Sequence, residues 1–364
     1  MLEKTAPTAP LREREREPIV VGGVKVKPGT QAAIDIPIAD LSTRTPMSMP
    51  VKVLRGRYVG PRLFVGAALH GDEINGVEII RRLLRLSVLK SLRGTLILVP
   101  IVNVLGFMSQ SRYLPDRRDL NRVFPGSASG SPAGRLAHTF TSEIVEKSTH
   151  GIDLHTGAIH RENFPQIRAN FDDPDAAKMA LAFGVPITIN TGFRHGSLRE
   201  AASKLSVPVI VYEAGEALRF NESYVRAGVK GVVHVMRALK MLPPSKREVT
   251  RRKPLTIGST IWVRAPRSGL LRTTTALGSA VRKDQILGAI SDPFGENEVQ
   301  LRSSADGVII GRTNLPLVHE GDALFHVARH EGKQVVARSL ESFEPEAEYE
   351  QGLTSELIDD RPIV

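Results

Sequence analysis

His70-Gly71-Asp72-Glu73, Asp153-Leu154-His155 and Glu213-Ala214-Gly215 are the residues of this 364-residue chain whose types could do chemistry together. Two imidazoles and a carboxylate can hold a zinc ion with one position open, and a further carboxylate can act as base on the water that fills it. Each piece alone has a plainer explanation. His-x-x-Glu is a common spacing, and Glu73 could simply cap a helix. His155 could be a satisfied histidine at a strand end, with Asp153 fixing its tautomer. Glu213 closes an apolar run, and Glu216 stays open as a candidate for the same proton-transfer role, with the Gly215 turn favouring Glu213.

Between these pieces, Ser111 to Gly126 is an irregular stretch carrying Arg112, Arg117, Arg118 and Arg122. Arginines at a sheet edge suit a substrate carboxylate or the oxyanion of a tetrahedral intermediate, whereas Arg117 and Arg118 fit plain surface charge equally well.

The elements that must position these side chains read as an alternating α/β pattern from about residue 50. Leu63–Leu69 is a buried strand, Val77, Ile80 and Leu84 give helical spacing after it, and Thr95–Ile101 is a second strand. A helix near 133–148, strands at 151–154, 186–189 and 208–212, and a closing helix over 222–241 complete it. The expected fold is α/β: a mixed, mostly parallel sheet flanked by helices on both faces, with sites at the strand ends. Beyond the basic run 246–253 the texture changes to short β-rich segments. Gly269 leads after fifteen residues to Asp284, and Gly307 leads at the same interval to Asp322, a repeat offset by 38 residues. Two such halves suggest a small all-β barrel-sandwich domain resembling biotinyl/lipoyl carriers. No lysine occurs from Asp284 through Gly332, so a carrier role is excluded and a structural or gating role is expected. The expected domains are a disordered arm (1–18), an α/β domain carrying the candidate zinc site (19–245), the β-rich domain (250–330) and an acidic tail (331–364).

Composition narrows the chemistry. With no cysteine, disulfides, thiolate ligands and a cysteine nucleophile are excluded, leaving His, Asp and Glu for any metal. The net charge of +10 raises a nucleic-acid reading, but nine acids against three bases in 331–364 leave the body near +16, with arginines dispersed over Arg81, Arg82, Arg85 and 112–122. Dispersed charge reads as solvated surface or as attraction for an acidic substrate, so no nucleic acid is expected. No apolar stretch of eighteen residues occurs and the opening Met1-Leu2-Glu3-Lys4 lacks an apolar signal core, so no membrane and a cytoplasmic location are expected.

In this order, His70-Gly71-Asp72-Glu73, Arg112-Tyr113, Asp119-Leu120-Asn121-Arg122, Asp153 to Gly157 and Glu213-Ala214-Gly215 resemble the succinylglutamate desuccinylase/aspartoacylase family of zinc carboxypeptidase-like hydrolases, over roughly 50–240. The resemblance implies one zinc ion per chain on His70, Glu73 and His155, with Glu213 as general base. It also implies Arg112 polarising the scissile carbonyl and Asn121 with Arg122 clamping a carboxylate, and it matches the β-rich region to the family's C-terminal domain that narrows the site entrance. The chain departs from aspartoacylases in a longer insert, Pro115 to Arg118, and in lacking a clear counterpart of the arginine that reads the aspartate side chain. Arg168, in the segment after the third ligand, is assigned that role. The implied activity is deacylation of a small acidic N-acyl amino acid by hydrolysis of its amide bond, in a homo-oligomer. Two rivals are a zinc carboxypeptidase trimming a terminal acidic residue from a short peptide, and an inactive relative that acts as a binding protein.

Overall fold

Strand faces follow from which side chains find a core on both sides. The computed structural model describes residues 17–40, 42–245 and 253–330. The acidic segment 331–364, the basic run 246–252 and all but the last two residues of the arm 1–18 lie outside the described residues. A short hairpin, β1 (Ile19–Val21) and β2 (Val24–Val26), precedes a long antiparallel pair, β3 (Gln31–Asp40) and β4 (Pro46–Arg55). β4 alternates: Met47, Met49, Val51 and Val53 are buried and their neighbours partly exposed, as in a sheet with one covered face. The strands that follow, β5 (Arg62–Ala67) and β6 (Thr95–Val99), are buried on both faces and pair in parallel.

The remaining catalytic-domain elements are α1 (Asn75–Leu83), α2 (Val104–Met108), α3 (Pro132–Phe140), β7 (His150–Gly157), β8 (Arg161–Ala169), α4 (Pro174–Phe183), β9 (Ile187–Asn190), α5 (Leu198–Lys204), β10 (Val209–Glu216) and α6 (Glu222–Ala238). Ile79, Ile80 and Leu83 of α1, Met179 and Phe183 of α4 and Val232 and Met236 of α6 pack on one face of the sheet against Leu63, Val65, Ile152 and Tyr212. Leu136 and Phe140 of α3 and Leu198 and Ala202 of α5 cover the other face with Phe64 and Ile97. The doubly covered mixed sheet is the expected α/β class.

The C-terminal strands are β11 (Leu255–Ile257), β12 (Thr260–Arg264), β13 (Gly269–Thr273), β14 (Ala280–Val281), β15 (Ile286–Ser291), β16 (Val299–Arg302), β17 (Gly307–Thr313), β18 (Leu317–Val318) and β19 (Ala323–Arg329). β16-β15-β13-β18 form one antiparallel sheet, while β12, β19 and β17 join the main sheet in the order β12-β19-β17-β8-β10-β7-β5-β6-β4-β3. Leu271, Leu287, Ile290, Ile309, Leu324 and Phe325 fill the space between the two layers, a small barrel-sandwich core.

Several boundaries differ from expectation. The segment 161–169 is a strand, β8, antiparallel to β10 and to β17. Its polar residues and Pro165 conceal it, because proline removes a ladder donor and the exposed-looking side chains are covered by other strands. β3 and β4, which carry Pro37, Pro46 and Pro50, lie ahead of the start expected for the sheet for the same reason. β7 and β10 run on past Leu154 and Tyr212, so His155 and Glu213 lie within strands rather than after them. Arg85 lies beyond the C-terminus of α1.

Candidate active site

β10, β7 and β5 are adjacent parallel strands, and their carboxyl ends carry the chemistry. An open α/β sheet places sites there because helix N-termini and loops converge at that edge. His70 lies in the turn after β5, where its carbonyl accepts from Glu73 N at 3.1 Å and so brings Glu73 back over the sheet. Buried Asn75 pins the start of α1, donating to Ala214 O at 3.1 Å and accepting from Asn221 N at 3.1 Å. His155 and Glu213 are direct partners in the β7–β10 ladder. After Glu213 the ladder shifts register on both sides, and Gly215 adopts φ +84°, where a side chain would also strike Asn75. Such a bulge re-aims the side chains beside it.

The structure brings His70, Glu73 and His155 together. Their ligand atoms lie within 4.8 Å of one another, and all three residues are buried. Glu73 Oε1 is 2.7 Å from His70 Nδ1 and Glu73 Oε2 is 2.6 Å from His155 Nδ1, while Thr156 N donates to Oε2 at 3.1 Å. The outer nitrogens are also engaged: His155 Nε2 is 2.7 Å from Asp153 Oδ2, and His70 Nε2 is 3.2 Å from Asp119 Oδ1. A carboxylate accepting from Nε2–H fixes the tautomer that leaves Nδ1 unprotonated, with its lone pair available to a metal, the arrangement typical of metal-binding histidines.

Electrostatics describe the same demand. Burial works against charging His155, but Asp153 and Glu73 raise its pKa well above the ordinary value; burial, Glu73 and Asp119 act likewise on His70, with a net rise. Burial also opposes ionisation of Glu73, yet the facing imidazoles hold its carboxyl well below the usual range. With both imidazoles neutral, Glu73 and Asp119 share one guanidinium, Arg112, and Asp153 pairs with His155, so these three carboxylates and one cation leave two negative charges. Arg112 Nη1 sits 3.1 Å from both Glu73 Oε1 and His70 Nδ1, so a cation is already drawn to these donors. A hard or borderline divalent ion fits this nitrogen and oxygen set.

Other expected site residues are placed as follows. Arg112 reaches the centre and donates through Nη2 to Asp119 Oδ2 at 3.0 Å. Arg168 pairs with Glu213 at 2.9 Å, and Asn163 Nδ2 donates to the other Glu213 oxygen at 2.9 Å. Asn121 follows Asp119 in the same turn, and its Oδ1 accepts from Leu198 N at 2.9 Å. Arg122 is exposed, with Nη1 donating to the Asn121 carbonyl. Glu216 stands apart from Glu213: it accepts from His160 N at 3.0 Å and Asn314 Nδ2 at 2.9 Å, tying the β domain to the sheet. Arg118 pairs with Asp116 at the surface.

Sequence reasoning missed two contributors. Asp119 caps its own turn by accepting from Asn121 N at 2.8 Å and at the same time orients His70, a contact spanning 49 residues that no local spacing signals. Asn163 was hidden because β8 itself was not foreseen.

Residues 59–239 match the family model of the succinylglutamate desuccinylase/aspartoacylase catalytic domain, and the chain belongs to that family of amide-cleaving deacylases. Among its relatives is N-alpha-acetyl-L-2,4-diaminobutyric acid deacetylase of Halomonas elongata, 26% identical over 311 residues, which are 81% of this chain and 90% of the relative. Its fold is similar to that of the product-bound ectoine utilization protein EutE (DoeB) from Ruegeria pomeroyi, with a TM-score of 0.74 at 22% identity over 89% of this chain and 98% of that one. It is similar too to a succinylglutamate desuccinylase/aspartoacylase from Rhodobacter sphaeroides, with a TM-score of 0.72 at 24% identity over 83% and 96%. No described helix is long and apolar enough to cross a membrane.

Proposed function

We propose that the chain is a zinc-dependent deacylase that hydrolyses the amide of a small acidic N-acyl amino acid. The observation that carries this reading is the convergence of His70 Nδ1, Glu73 and His155 Nδ1 on one point, one strand away from Glu213. The family supplies the reaction class, and the relative named for an Nα-acetyl amino acid supports an amino-acid amide.

Zinc held by His70, Glu73 and His155 would supply Lewis-acid activation of water and carbonyl. Glu213 takes a proton from the attacking water and returns it to the departing amine nitrogen. Asn163 and Arg168 each hold one of its two oxygens and so orient the carboxylate. Arg112 stabilises negative charge developing on the carbonyl oxygen, acting as a preorganised donor at a partly buried site. Asn121 and Arg122 hold the amino acid's carboxylate, and the guanidiniums of Arg168, which pairs with Glu213, and of the neighbouring Arg199 favour an acidic side chain.

The test is metal analysis of the protein as purified, joined to turnover of N-acetyl and N-succinyl acidic amino acids beside short acidic peptides. One zinc per chain with faster cleavage of the acylated amino acids supports the proposal. A chain that carries no metal and cleaves none of them sinks it; faster cleavage of the peptides replaces it with the carboxypeptidase reading.

A further inference from the structure

β8 lies between β10 and β17, so it carries the junction between the catalytic strands and the C-terminal β domain. Asn163 sits there, paired in register with Gly215 on one side and Gly311 on the other. Its amide nitrogen holds Glu213. Its Oδ1 lies over Gly311, where an added Cβ would come within 2.9 Å of that oxygen and 3.3 Å of the Cβ of His326. The absence of a side chain at 311 therefore leaves Asn163 and His326 as neighbours across an intervening strand.

His326 is unusual for a β-domain residue. It pairs in register with Gly311 and with Trp262, and its ring stacks on the Trp262 ring at 4.2 Å with 4° between the planes. The Arg161 guanidinium covers Trp262 at 5.3 Å. His326 is only 6% exposed, yet neither ring nitrogen has a hydrogen-bond partner among the described residues. Burial, followed by the charges of Arg168, Arg194 and Arg161, pushes its pKa down to about 3, so the ring is neutral and keeps one N–H donor. Arg199 is buried as well, pushed down to about 10 by burial and then by Arg168, and among the described residues it donates to the carbonyls of Thr191 and Gly192. The region holds more guanidinium charge than carboxylate, together with one unused, rigidly stacked imidazole. An anion meets both conditions, whereas an ammonium group could use only the lone pair of the imidazole and would be repelled by the guanidiniums.

We infer that His326, backed by Trp262, is a specificity-determining residue: with Arg168 it binds a substrate carboxylate remote from the scissile amide, the imidazole N–H donating to one oxygen. This rests on the deacylase reading only for what occupies the cleft. The β domain then supplies part of the recognition surface itself.

Trp262 is the one tryptophan in the chain, so its emission reports on this wall without any hydrolysis. The protein as purified is titrated with succinate, with its neutral isostere succinamide and with 1,4-diaminobutane. Succinate shifts the Trp262 emission with saturation, and the other two do not within the same range. In His326→Ala and Arg168→Ala the succinate midpoint rises about tenfold or more, as expected for loss of a hydrogen bond to a charged group. His326→Gln, which retains an N–H donor, recovers most of the loss, and circular dichroism verifies that each variant is folded. Equal midpoints for succinate and succinamide in the unaltered chain overturn the inference, as does an unmoved midpoint in folded His326→Ala. A succinate response in a chain that cleaves no N-acyl amino acid leaves this wall standing and removes the deacylase reading. Cleavage without discrimination between the three probes does the reverse.

Discussion

Two dense ion clusters sit a few residues apart and behave as opposites. At the centre, Glu73, His70 and His155 are 2%, 4% and 6% exposed, and the carboxylates around the two imidazoles outnumber the one guanidinium that reaches them. On the outer face of α1, Glu78 pairs with Arg81 and Arg82 at 2.6 Å, and Arg82 continues to Glu222 at 2.7 Å. There Arg81 and Glu222 are each 53% exposed, and every carboxylate has its guanidinium. Contact distances are equally short in both. What separates them is demand: the buried set turns two imidazole nitrogens and a carboxylate toward one point, whereas the helix set pairs each carboxylate with a guanidinium and opens Arg81 and Glu222 to solvent. Density of charge therefore says little about function, and unmet donor capacity says much.

The strongest way to break this contrast is His70→Ala. Removal of one of three ligands should abolish bound zinc and activity together, read by metal analysis and turnover of the same sample. Retained stoichiometric zinc would show that the centre is no more demanding than the helix cluster. Glu213→Gln should keep the metal but slow turnover by roughly 10²–10⁴-fold, the range for a lost acid–base group. Arg112→Ala should slow it about a hundredfold, with a loss on the order of 3 kcal/mol in the activation barrier and KM changing less than kcat. Asp119→Ala, acting through His70, should weaken zinc affinity by about 10–100-fold in a chelator competition while the chain stays folded. On the helix, Glu78→Ala should cost at most about 1 kcal/mol in urea unfolding and leave turnover untouched.

The helix cluster also makes a pH statement. Hydrogen bonds from Arg81, opposed by burial and aided by Arg82, lower the Glu78 pKa to about 2 from an ordinary 4.5. A lowered folded pKa contributes stability above the unfolded value, which is lost as pH falls from about 4.5 through about 2. Unfolding of the parent and of Glu78→Ala should therefore converge across that window. Curves that stay parallel would mean the pair contributes nothing through ionisation.

What was legible in the sequence followed local rules. His70 and Glu73 stand in a turn after an apolar strand, and Glu213 ends the run Val209–Tyr212, so residue type and strand-end position could be read together. The doubly buried strands β5 and β6 were equally plain because every residue in them after Arg62 is apolar or small. β8 was not, since Arg161, Glu162, Asn163, Gln166 and Arg168 are polar for reasons supplied by other strands: Glu213 on one side and the β domain on the other. Asp119 and His326 act over sequence distances at which no spacing carries information. Asp119 is placed by the turn that brings it against His70, and His326 by the order β19-β17-β8, which sets it one strand away from Asn163.

The pairing of β17 with β8 has one more implication. Gly311, Arg312 and Thr313 continue the catalytic sheet beyond Asn163, Glu162 and Arg161, so the C-terminal region is stitched on by backbone ladder rather than hung from a linker. A chain cut near residue 250 would expose the flank of β8 as an open template for strand addition. Such a fragment should precipitate or self-associate, and the smallest soluble unit of this enzyme should include both halves.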